Sequence, residues 1–424
     1  MRTLLQTTLL LALTSPCFAT THTVLPDGTG DFPTIQAAID AAVDGDIVAL
    51  ADGVFTGPGN RDIDLLGKEI TVRSQNGYAN CVIDCEGTGR GFLLVSGETA
   101  LSVLQGLTVT HGWSGGEWEE GGAVQCDGSS PTLTDCAFVD NQAHGGGALT
   151  FSGGAPSIEG CLFEGNLSSG DAADGGAIRA SGTTLTMSGC TFRQNEASAG
   201  GGAVACWSGV LDAADCAFEA NTAESGGALA YAFTPLTLTD CAFTQNSAAS
   251  GGATLSQSGT LHSVSACLFA ENTASSSGGG MRFQNLPGNA VIEINGCSLV
   301  GNSNGQLDGI DGDAEIANTI IAFAEAGPAV TGSATATCCD IFGNAGGDWT
   351  GDLAGQLGLD GNFSEDPRFC DPVSGDYTLE AGSPCLPGNH PQGSDCGVIG
   401  ALGEGCPASP VEATTWGGIK AAYR

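Results

Sequence analysis

Two short phrases that repeat in phase constrain this chain more than any other feature. The phrase Cys-x-Phe-x-x-Asn occurs six times, with steps of 25, 29, 26, 25 and 26 residues between its cysteines, which are Cys136, Cys161, Cys190, Cys216, Cys241 and Cys267. A Gly-Gly-Ala phrase precedes each of these six copies, from Gly121-Gly122-Ala123 to Gly251-Gly252-Ala253. Two degenerate copies of the cysteine phrase begin at Cys297 and Cys339. Repeats of this length stack as the units of a solenoid, so equivalent residues are expected to lie above one another.

Apolar residues within each repeat recur at every second position, which predicts short β-strands. Leu236 and Leu238, for example, lie five and three positions before Cys241. An offset of three would place two residues on opposite faces of a straight strand, so the chain must bend just before each cysteine. The expected bends are at Asp135, Gly160, Gly189, Asp215 and Asp240. We therefore predict an all-β fold, a right-handed single-stranded parallel β-helix with rungs stacked about 4.8 Å apart.

The repeated asparagines and cysteines are predicted to be structural. Stacked amides can hydrogen-bond from rung to rung, which predicts a ladder of Asn141, Asn166, Asn195, Asn221, Asn246 and Asn272. Buried cysteines behave as small apolar residues, and side chains that point in parallel have poor disulfide geometry. The rungs hold no CxxC pair and no histidine accompanies the series, so a zinc site is not expected.

The charge balance excludes whole classes of partner. Only 11 Lys and Arg stand against 47 Asp and Glu, a formal net charge of −36. Such a chain repels polyanions, so nucleic acid is excluded as a partner and an anionic membrane surface is disfavoured. A polyanionic glycan would need bridging Ca²⁺. We expect a monomer whose partner is a glycan or a host or cell-surface protein.

The two ends of the chain lack the repeated phrases and are predicted to form separate segments. Residues 1–19 are predicted to be a signal peptide, with Arg2, an apolar run from Leu4 to Leu13, and Ala19 before the cleavage point. We then expect an N-terminal cap and first rungs (20–105), the repeat β-helix (106–345), a C-terminal cap (346–408) and a linker and tail (409–424) that is a candidate sorting or anchoring signal. No membrane span is expected after cleavage. The protein is predicted to be secreted, extracellular or associated with the outer membrane or cell surface.

Two family resemblances add to this prediction. Over roughly residues 106–345 the paired phrases resemble the repeats of the polymorphic outer-membrane proteins of chlamydiae, which implies a bacterial surface adhesin. The opening Val-Leu-Pro-Asp-Gly-Thr-Gly-Asp-Phe-Pro-Thr-Ile at residues 24–35 is similar to that of pectin-lyase-like proteins, and Thr34 is the expected N-cap of a capping helix. The catalytic phrases of those enzymes have no counterpart here. Arg179 and Arg282 are expected to lie at different offsets from Gly-Gly and therefore not to stack on one line.

Three groups of candidate site residues lie outside the two repeated phrases. Oxygen ligands at short spacing suit Ca²⁺, although ordinary turns are the favoured explanation, and they occur at Asp308, Asp311, Asp313, Asp360, Asn362 and Glu365. An aromatic and acidic insertion with Trp113, Glu117 and Trp118 is a candidate sugar- or protein-contact loop. Four late cysteines allow three connectivities, of which we expect Cys370–Cys385 and Cys396–Cys406.

No catalytic residue is assigned, and no cofactor other than Ca²⁺ is considered. We therefore expect a secreted or cell-surface non-catalytic β-helix protein that acts in adhesion or in glycan or protein binding. The alternative is a polysaccharide lyase or glycoside hydrolase of pectin-lyase-like fold, and a third hypothesis is a structural spacer without a ligand. An enzyme should bring two or three carboxylates and an Arg, Lys or His together in a groove on one sheet.

Overall fold

The computed structural model describes residues 19–116 and 120–406, with the side chains of residues 311–313 outside that description. The chain winds as a right-handed parallel β-helix, in which each coil, or rung, pairs in parallel with the next. Phe138, for example, lies opposite Phe163, and Phe163 lies opposite Phe192. The predicted fold is confirmed.

Three sheets run along the rod. Sheet 1 precedes the repeat cysteines and contains Thr21–Val24, Ile47–Leu50, Thr71–Ser74, Val103–Gln105, Thr132–Thr134, Ser157–Glu159, Thr184–Ser188, Val210–Ala214, Leu236–Thr239, Leu261–Ser265 and Val291–Asn295. Sheet 2 follows the Gly-Gly-Ala phrases and contains Ile63–Asp64, Phe92–Leu94, Val124–Asp127, Leu149–Ser152, Ile178–Ser181, Val204–Trp207, Leu229–Ala232, Thr254–Gln257 and Met281–Gln284. The long strands Leu307–Ala317 and Val330–Thr337 continue both sheets in the last rungs.

Sheet 3 carries the phenylalanines of the repeat. Its strands are Gly53–Phe55, Cys81–Asp84, Thr108–Thr110, Ala137–Val139, Leu162–Glu164, Thr191–Arg193, Ala217–Glu219, Ala242–Thr244, Leu268–Ala270, Ser298–Val300, Ile320–Ala322 and Asp340–Phe342. Short strands form two narrow ladders beside it, Gln142–Ala143, Leu167–Ser168 and Glu196–Ala197, then Ser247–Ser250 and Thr273–Ser277. Between sheets 1 and 3 the chain turns at the predicted bends. Their φ values lie between 52° and 61°, at Asp135, Gly160, Gly189, Asp215 and Asp240.

Inside the rod, equivalent side chains form continuous columns. The Phe192 and Phe218 rings stack with centroids 4.8 Å apart, and the next pair, Phe218 and Phe243, are 4.6 Å apart. The asparagines form a fully buried ladder. Asn221 Nδ2 donates to Asn246 Oδ1 and to the Phe192 carbonyl, both at 3.0 Å. Because buried amides must find partners, this column fixes the register of successive rungs.

The second glycine of each Gly-Gly-Ala phrase is required by the spacing of the rungs. A Cβ atom on Gly202 would lie 2.1 Å from the Gly227 carbonyl oxygen, and one on Gly227 would lie 2.2 Å from that of Gly252. No side chain fits at such a distance. The phrase therefore marks the place where neighbouring backbones come closest.

The N-terminal end of the rod is closed by a short helix, Ile35–Ala41, whose buried residues are Ile35, Ala38 and Ile39. Thr34 caps it as expected, since its Oγ1 accepts a hydrogen bond from the Ala37 N–H at 3.2 Å. At the other end of the helix, Lys68 Nζ donates to the Ile39 and Ala42 carbonyls, at 2.6 and 2.9 Å. These contacts satisfy backbone groups that a helix leaves unpaired.

The C-terminal cap folds back along the outside of sheet 3. Its strands are Phe369–Asp371, Asp376–Glu380 and Glu404–Cys406, and short 3₁₀ turns occur at Gly351–Leu353 and Pro372–Ser374 as well as at Tyr78–Asn80 near the other end. A second apolar cluster joins the cap to the outer face of the last rungs, and its members are Ala270, Val300, Ile320, Ala322, Phe363, Phe369, Tyr377, Leu379, Cys385, Leu386 and Ile399.

The disulfide prediction was wrong. The bonds are Cys338–Cys396 and Cys370–Cys406, with Cα–Cα distances of 5.6 and 6.0 Å. Because the cap folds back on the rod, Cys396 meets the last rung instead of its sequence neighbour. Cys385 is buried and free, and its Sγ lies 3.3 Å from Asp340 Oδ2.

The predicted signal peptide and the C-terminal tail lie outside the described residues, apart from Ala19. Within the described ranges, no helix has the length and apolar character that crossing a membrane requires.

Candidate functional site

The outer face of sheet 2 carries one column in which bulky charged residues flank small ones. The residue two positions after each Gly-Gly-Ala phrase points outward, and successive members pair in register as Thr150, Arg179, Ala205, Ala230, Leu255 and Arg282. The expectation that Arg179 and Arg282 do not stack was therefore wrong. Gly280 takes the place of alanine in Gly278-Gly279-Gly280, so both arginines have the same offset from their phrase.

Both arginines are neutralised by carboxylates. Arg179 forms an ion pair with Glu120, and Arg282 Nε lies 3.5 Å from Asp308 Oδ2. Between these pairs the column holds only Ala205, Ala230 and Leu255. A depression opens there because two successive rungs present alanine where the flanking rungs present long side chains.

We call this depression the sheet 2 cleft. It has a volume of about 170 Å³ and is lined by Asp174, Ala199, Gly200, Trp207, Glu224, Ser225, Ala230, Tyr231, Leu255 and Gln257. Its floor is small and apolar, and its rim carries an indole, two carboxylates, an amide and a hydroxyl. A shallow site with an aromatic wall and a few polar groups is typical of ligand recognition.

Asp174 belongs to the longest step between full copies of the repeat, the one from Cys161 to Cys190. Nine positions separate Asn166 from Gly175, against five from Asn141 to Gly146, and the extra residues bring Asp174 to the cleft. Its Oδ1 accepts a hydrogen bond from the Gly200 N–H at 2.9 Å. Burial raises the pKa of Asp174 above its ordinary value, although this bond, Arg179 and the Trp207 indole each act to lower it.

The remaining polar groups of the cleft come from the next rungs. Trp207 and Gln257 belong to a second outward column of sheet 2, two positions after the first along each strand. They lie two rungs apart, and Ala232 lies between them. Glu224 is exposed and Ser225 is half-buried on the facing wall. The indole offers a flat apolar face, while the carboxylates and the amide offer hydrogen bonds, which together match a sugar ring.

Of the predicted contact loop, Trp113 is not among the residues that line the cleft. Trp113 is 39% exposed, and its backbone pairs with Gln142 at the edge of the narrow ladder, with its N–H donating to the Gly89 carbonyl at 2.8 Å. Glu117 and Trp118 lie outside the described residues. Sequence reasoning missed Asp174, Trp207 and Glu224. Aligning the outward positions of the Gly-Gly-Ala repeats would have revealed the two consecutive alanines between the arginines.

The structure separates several of the calcium candidates. Asp308 is engaged by Arg282 and by the Thr331 hydroxyl, and the side chains of Asp311 and Asp313 are outside the description. Asn362 is buried, with its Oδ1 accepting from the Cys339 N–H at 3.0 Å. Asp360 and Glu365 are exposed. In the described part of the chain, no three His, Cys, Asp or Glu residues form a metal-binding group. Calcium binding stays a prediction.

The free cysteines are unsuited to chemistry. All thirteen that the described ranges contain are buried. Burial raises the pKa of Cys126 and of Cys339 to about 12, so these thiols stay protonated at neutral pH. Hydrogen bonds from the neighbouring Cys216 thiol lower the pKa of Cys190 and of Cys241. A nucleophilic cysteine must also be accessible, however, and these side chains are buried.

The family described as right handed beta helix region matches residues 54–262 and 124–363. The chain belongs to this family. No curated protein sequence matches the chain. The family assignment agrees with the fold but names no ligand, so a ligand must be inferred from the residues of the cleft.

Among solved structures, the chain is similar to the catalytic unit of a GH87 alpha-1,3-glucanase from Streptomyces thermodiastaticus, at 16% identity and a TM-score of 0.43, covering 83% of this chain and 69% of that one. It is also similar to a variant of the PL6 family alginate lyase AlyGC, at 13% identity and a TM-score of 0.44, covering 93% and 59%. A mannuronic acid specific family 6 lyase from human gut microbiota gives 12% identity and a TM-score of 0.37, covering 82% and 91%. Similarity at this level carries no argument about activity.

Proposed function

We propose that the protein binds a neutral glycan in the sheet 2 cleft, as a non-catalytic β-helix that acts outside the cell. The observation that carries this proposal is the indole of Trp207 beside a floor of small residues, with Asp174, Glu224 and Gln257 around it. Sugar rings present an apolar C–H face and a polar edge, and the cleft offers a partner for each. Binding of a cell-surface glycan would serve adhesion.

Charge argues for a neutral ligand. The chain carries a formal net charge of −36, and the two arginines that flank the cleft already face Glu120 and Asp308. A uronate polymer would meet the carboxylates of Asp174 and Glu224 without a free cation to balance them. Like-charge repulsion in a partly desolvated site disfavours such a ligand.

Export is part of the proposal. Two disulfides hold the C-terminal cap, Cys338–Cys396 between the last rung and the cap and Cys370–Cys406 within the cap itself. Bonds of this kind form and persist in oxidising compartments. Together with the predicted signal peptide, they support a secreted or surface-associated protein.

Screening the purified protein against a neutral glycan array, followed by calorimetry, tests the proposal. Trp207→Ala should weaken binding by about tenfold or more, because a stacked aromatic ring contributes on the order of 1–2 kcal/mol. Trp113→Ala is the matched control, since Trp113 is exposed but lies away from the cleft. Equal losses from both variants, or no loss from Trp207→Ala, would argue against the cleft.

Glycoside hydrolysis is a second candidate, favoured by the pair of carboxylates in one cleft. Asp174 has a raised pKa and Glu224 is exposed, which are the environments expected of a general acid and a general base. Release of reducing ends from the glycans that bind, abolished by Asp174→Asn, would establish this activity. Binding without release would leave the non-catalytic proposal in place.

A further inference from the structure

From Val124–Asp127 to Met281–Gln284, the residue that follows each sheet 2 strand has left-handed backbone geometry. Small residues occupy this position in nearly every rung, with positive φ at Gly128, Gly153, Gly182, Ser208, Ser258 and Asn285. Phe233 occupies the same place with a φ of 53°, and its side chain is 67% exposed. A bulky aromatic residue at such a position is a backbone outlier, and outliers of this kind gather at functional sites.

The fold does not require this aromatic ring. The Phe233 N–H donates to the Gln257 carbonyl at 3.1 Å, and the same bond is made by Ser208 to Ala232 at 2.9 Å and by Ser258 to Gln284 at 3.1 Å. The turn is thus built identically with serine on both sides. The phenyl ring adds strain and exposed apolar area, and neither stabilises the rod.

Phe233 lies beside the sheet 2 cleft. Ala232 pairs in register with Trp207, so Phe233 is one rung and one residue beyond the indole. The rung spacing and the rise per residue put their Cα atoms about 6 Å apart. Apolar surface continues past the corner, where Leu261 and Val291 are paired and each 43% exposed.

We propose that Phe233 forms a second sugar subsite next to the one at Trp207, which makes the site specific for an oligosaccharide of neutral pyranoses. This inference rests on the proposed glycan binding and extends it. The ligand leaves the cleft at Trp207 and crosses the corner between sheets 2 and 1, with one C–H face against each ring. A single sugar fills only the cleft, whereas a longer chain gains the second contact.

Phe233→Ser tests this inference, because serine is the residue of both neighbouring turns. The probes are the disaccharide and tetrasaccharide of the cello-, laminari- and malto-oligosaccharide series, measured by calorimetry on the full chain. Tetrasaccharide affinity should fall about three- to tenfold, with the disaccharide affinity unchanged. Thermal stability should stay equal or rise, since backbone strain is relieved. Phe233→Trp should keep the tetrasaccharide affinity of the unmodified protein, because an aromatic ring remains at this position. Leu101→Ser, at another exposed apolar residue, is the control and should leave this affinity unchanged.

The outcomes separate the two proposals. Tetrasaccharide binding by Phe233→Ser at the unmodified affinity overturns the second subsite and leaves the cleft intact. Equal losses for both sugar lengths also overturn it, because they indicate a general change in the cleft. If the unmodified protein binds none of these probes and no neutral glycan of the array, the proposed function fails and the subsite fails with it.

Discussion

The central rungs and the C-terminal cap are stabilised by different kinds of interaction. Within the repeat, each interior Asn and Phe contacts its own equivalents in the rungs above and below, as Asn221 does with Asn195 and Asn246. The cap instead depends on contacts that occur once, two disulfides and the apolar cluster on the outside of sheet 3. The rungs share stabilisation with their neighbours, whereas the cap must hold itself in place. Four substitutions test this contrast.

The largest effect is expected in the ladder. Asn221→Ala removes the acceptor for the N–H and the side-chain amide of Asn195, and the donor to the Phe192 carbonyl and to Asn246 Oδ1. Four buried groups each lose a hydrogen bond, so the free energy of unfolding should fall by about 3–6 kcal/mol. Urea denaturation measures the loss. Thr222→Ala, at the exposed next residue, should change little, and a loss below about 1 kcal/mol for Asn221→Ala would refute cooperative stabilisation by the ladder.

Removing a cap disulfide should have a smaller and local effect. Cys370 and Cys406 close a loop with a sequence separation of 36 residues, and replacing both with serine should cost the cap about 2–4 kcal/mol. Hydrogen exchange should accelerate at Leu379 in the cap and stay slow at Phe218 in the rungs. Faster exchange at both places would show that the cap and the rungs unfold as one unit.

The stability of the cap should fall as the pH rises from about 4 to 8. Asp340 lies under it, accepts a hydrogen bond from the Glu365 N–H, and has its pKa raised by burial to about 8. The unfolded carboxyl ionises near 3.8, so between about pH 4 and 8 unfolding releases a proton and stability falls as pH rises. Asp340→Asn should flatten this dependence and stabilise the cap by about 1–3 kcal/mol at pH 8. An unchanged pH profile in cap hydrogen exchange would contradict the assignment.

Acid should weaken the rungs, and this effect is expected to be the smallest. His262 replaces an aliphatic residue between Leu236 and Ile292, its Nδ1 has no partner, and burial lowers its pKa from 6.5 to about 4. Between these values the unfolded chain binds more protons, so stability falls as pH falls. His262→Leu should remove that loss and stabilise the rungs by about 1 kcal/mol at pH 5. Thermal melts at pH 5 and 7 provide the measurement, and equal acid sensitivity in both proteins would exclude His262.

The repeat could be predicted because its constraints are local and periodic. The bends at Asp135 and Asp240 followed from the odd spacing of apolar residues, and the asparagine series followed from its constant phase. The cap could not be predicted in the same way. The pairing of Cys338 with Cys396 depends on a fold-back over sheet 3, and no period in the sequence reports on that contact.

The cleft lay between these two cases. Its outward column is periodic, but the phrase before Arg282 ends in Gly280 instead of alanine, so it differs from the Gly-Gly-Ala copy before Arg179. Trp207 and Asp174 belong to different positions of the repeat, and only the stacking of neighbouring rungs brings them into one cleft. Functional residues in a coil of this kind are found where one rung departs from the others, as the extra residues before Asp174 do.

The uniform interior has a consequence for how such a rod changes over evolutionary time. Each rung presents the same Cys, Phe and Asn columns to the one above it, as Phe192, Phe218 and Phe243 do. After duplication or deletion of one whole repeat, the same kinds of side chain would therefore still pack against one another between neighbouring rungs. The N-terminal helix and the C-terminal cap would not be affected. The length of the rod and the ligand it recognises can then diverge independently within one lineage.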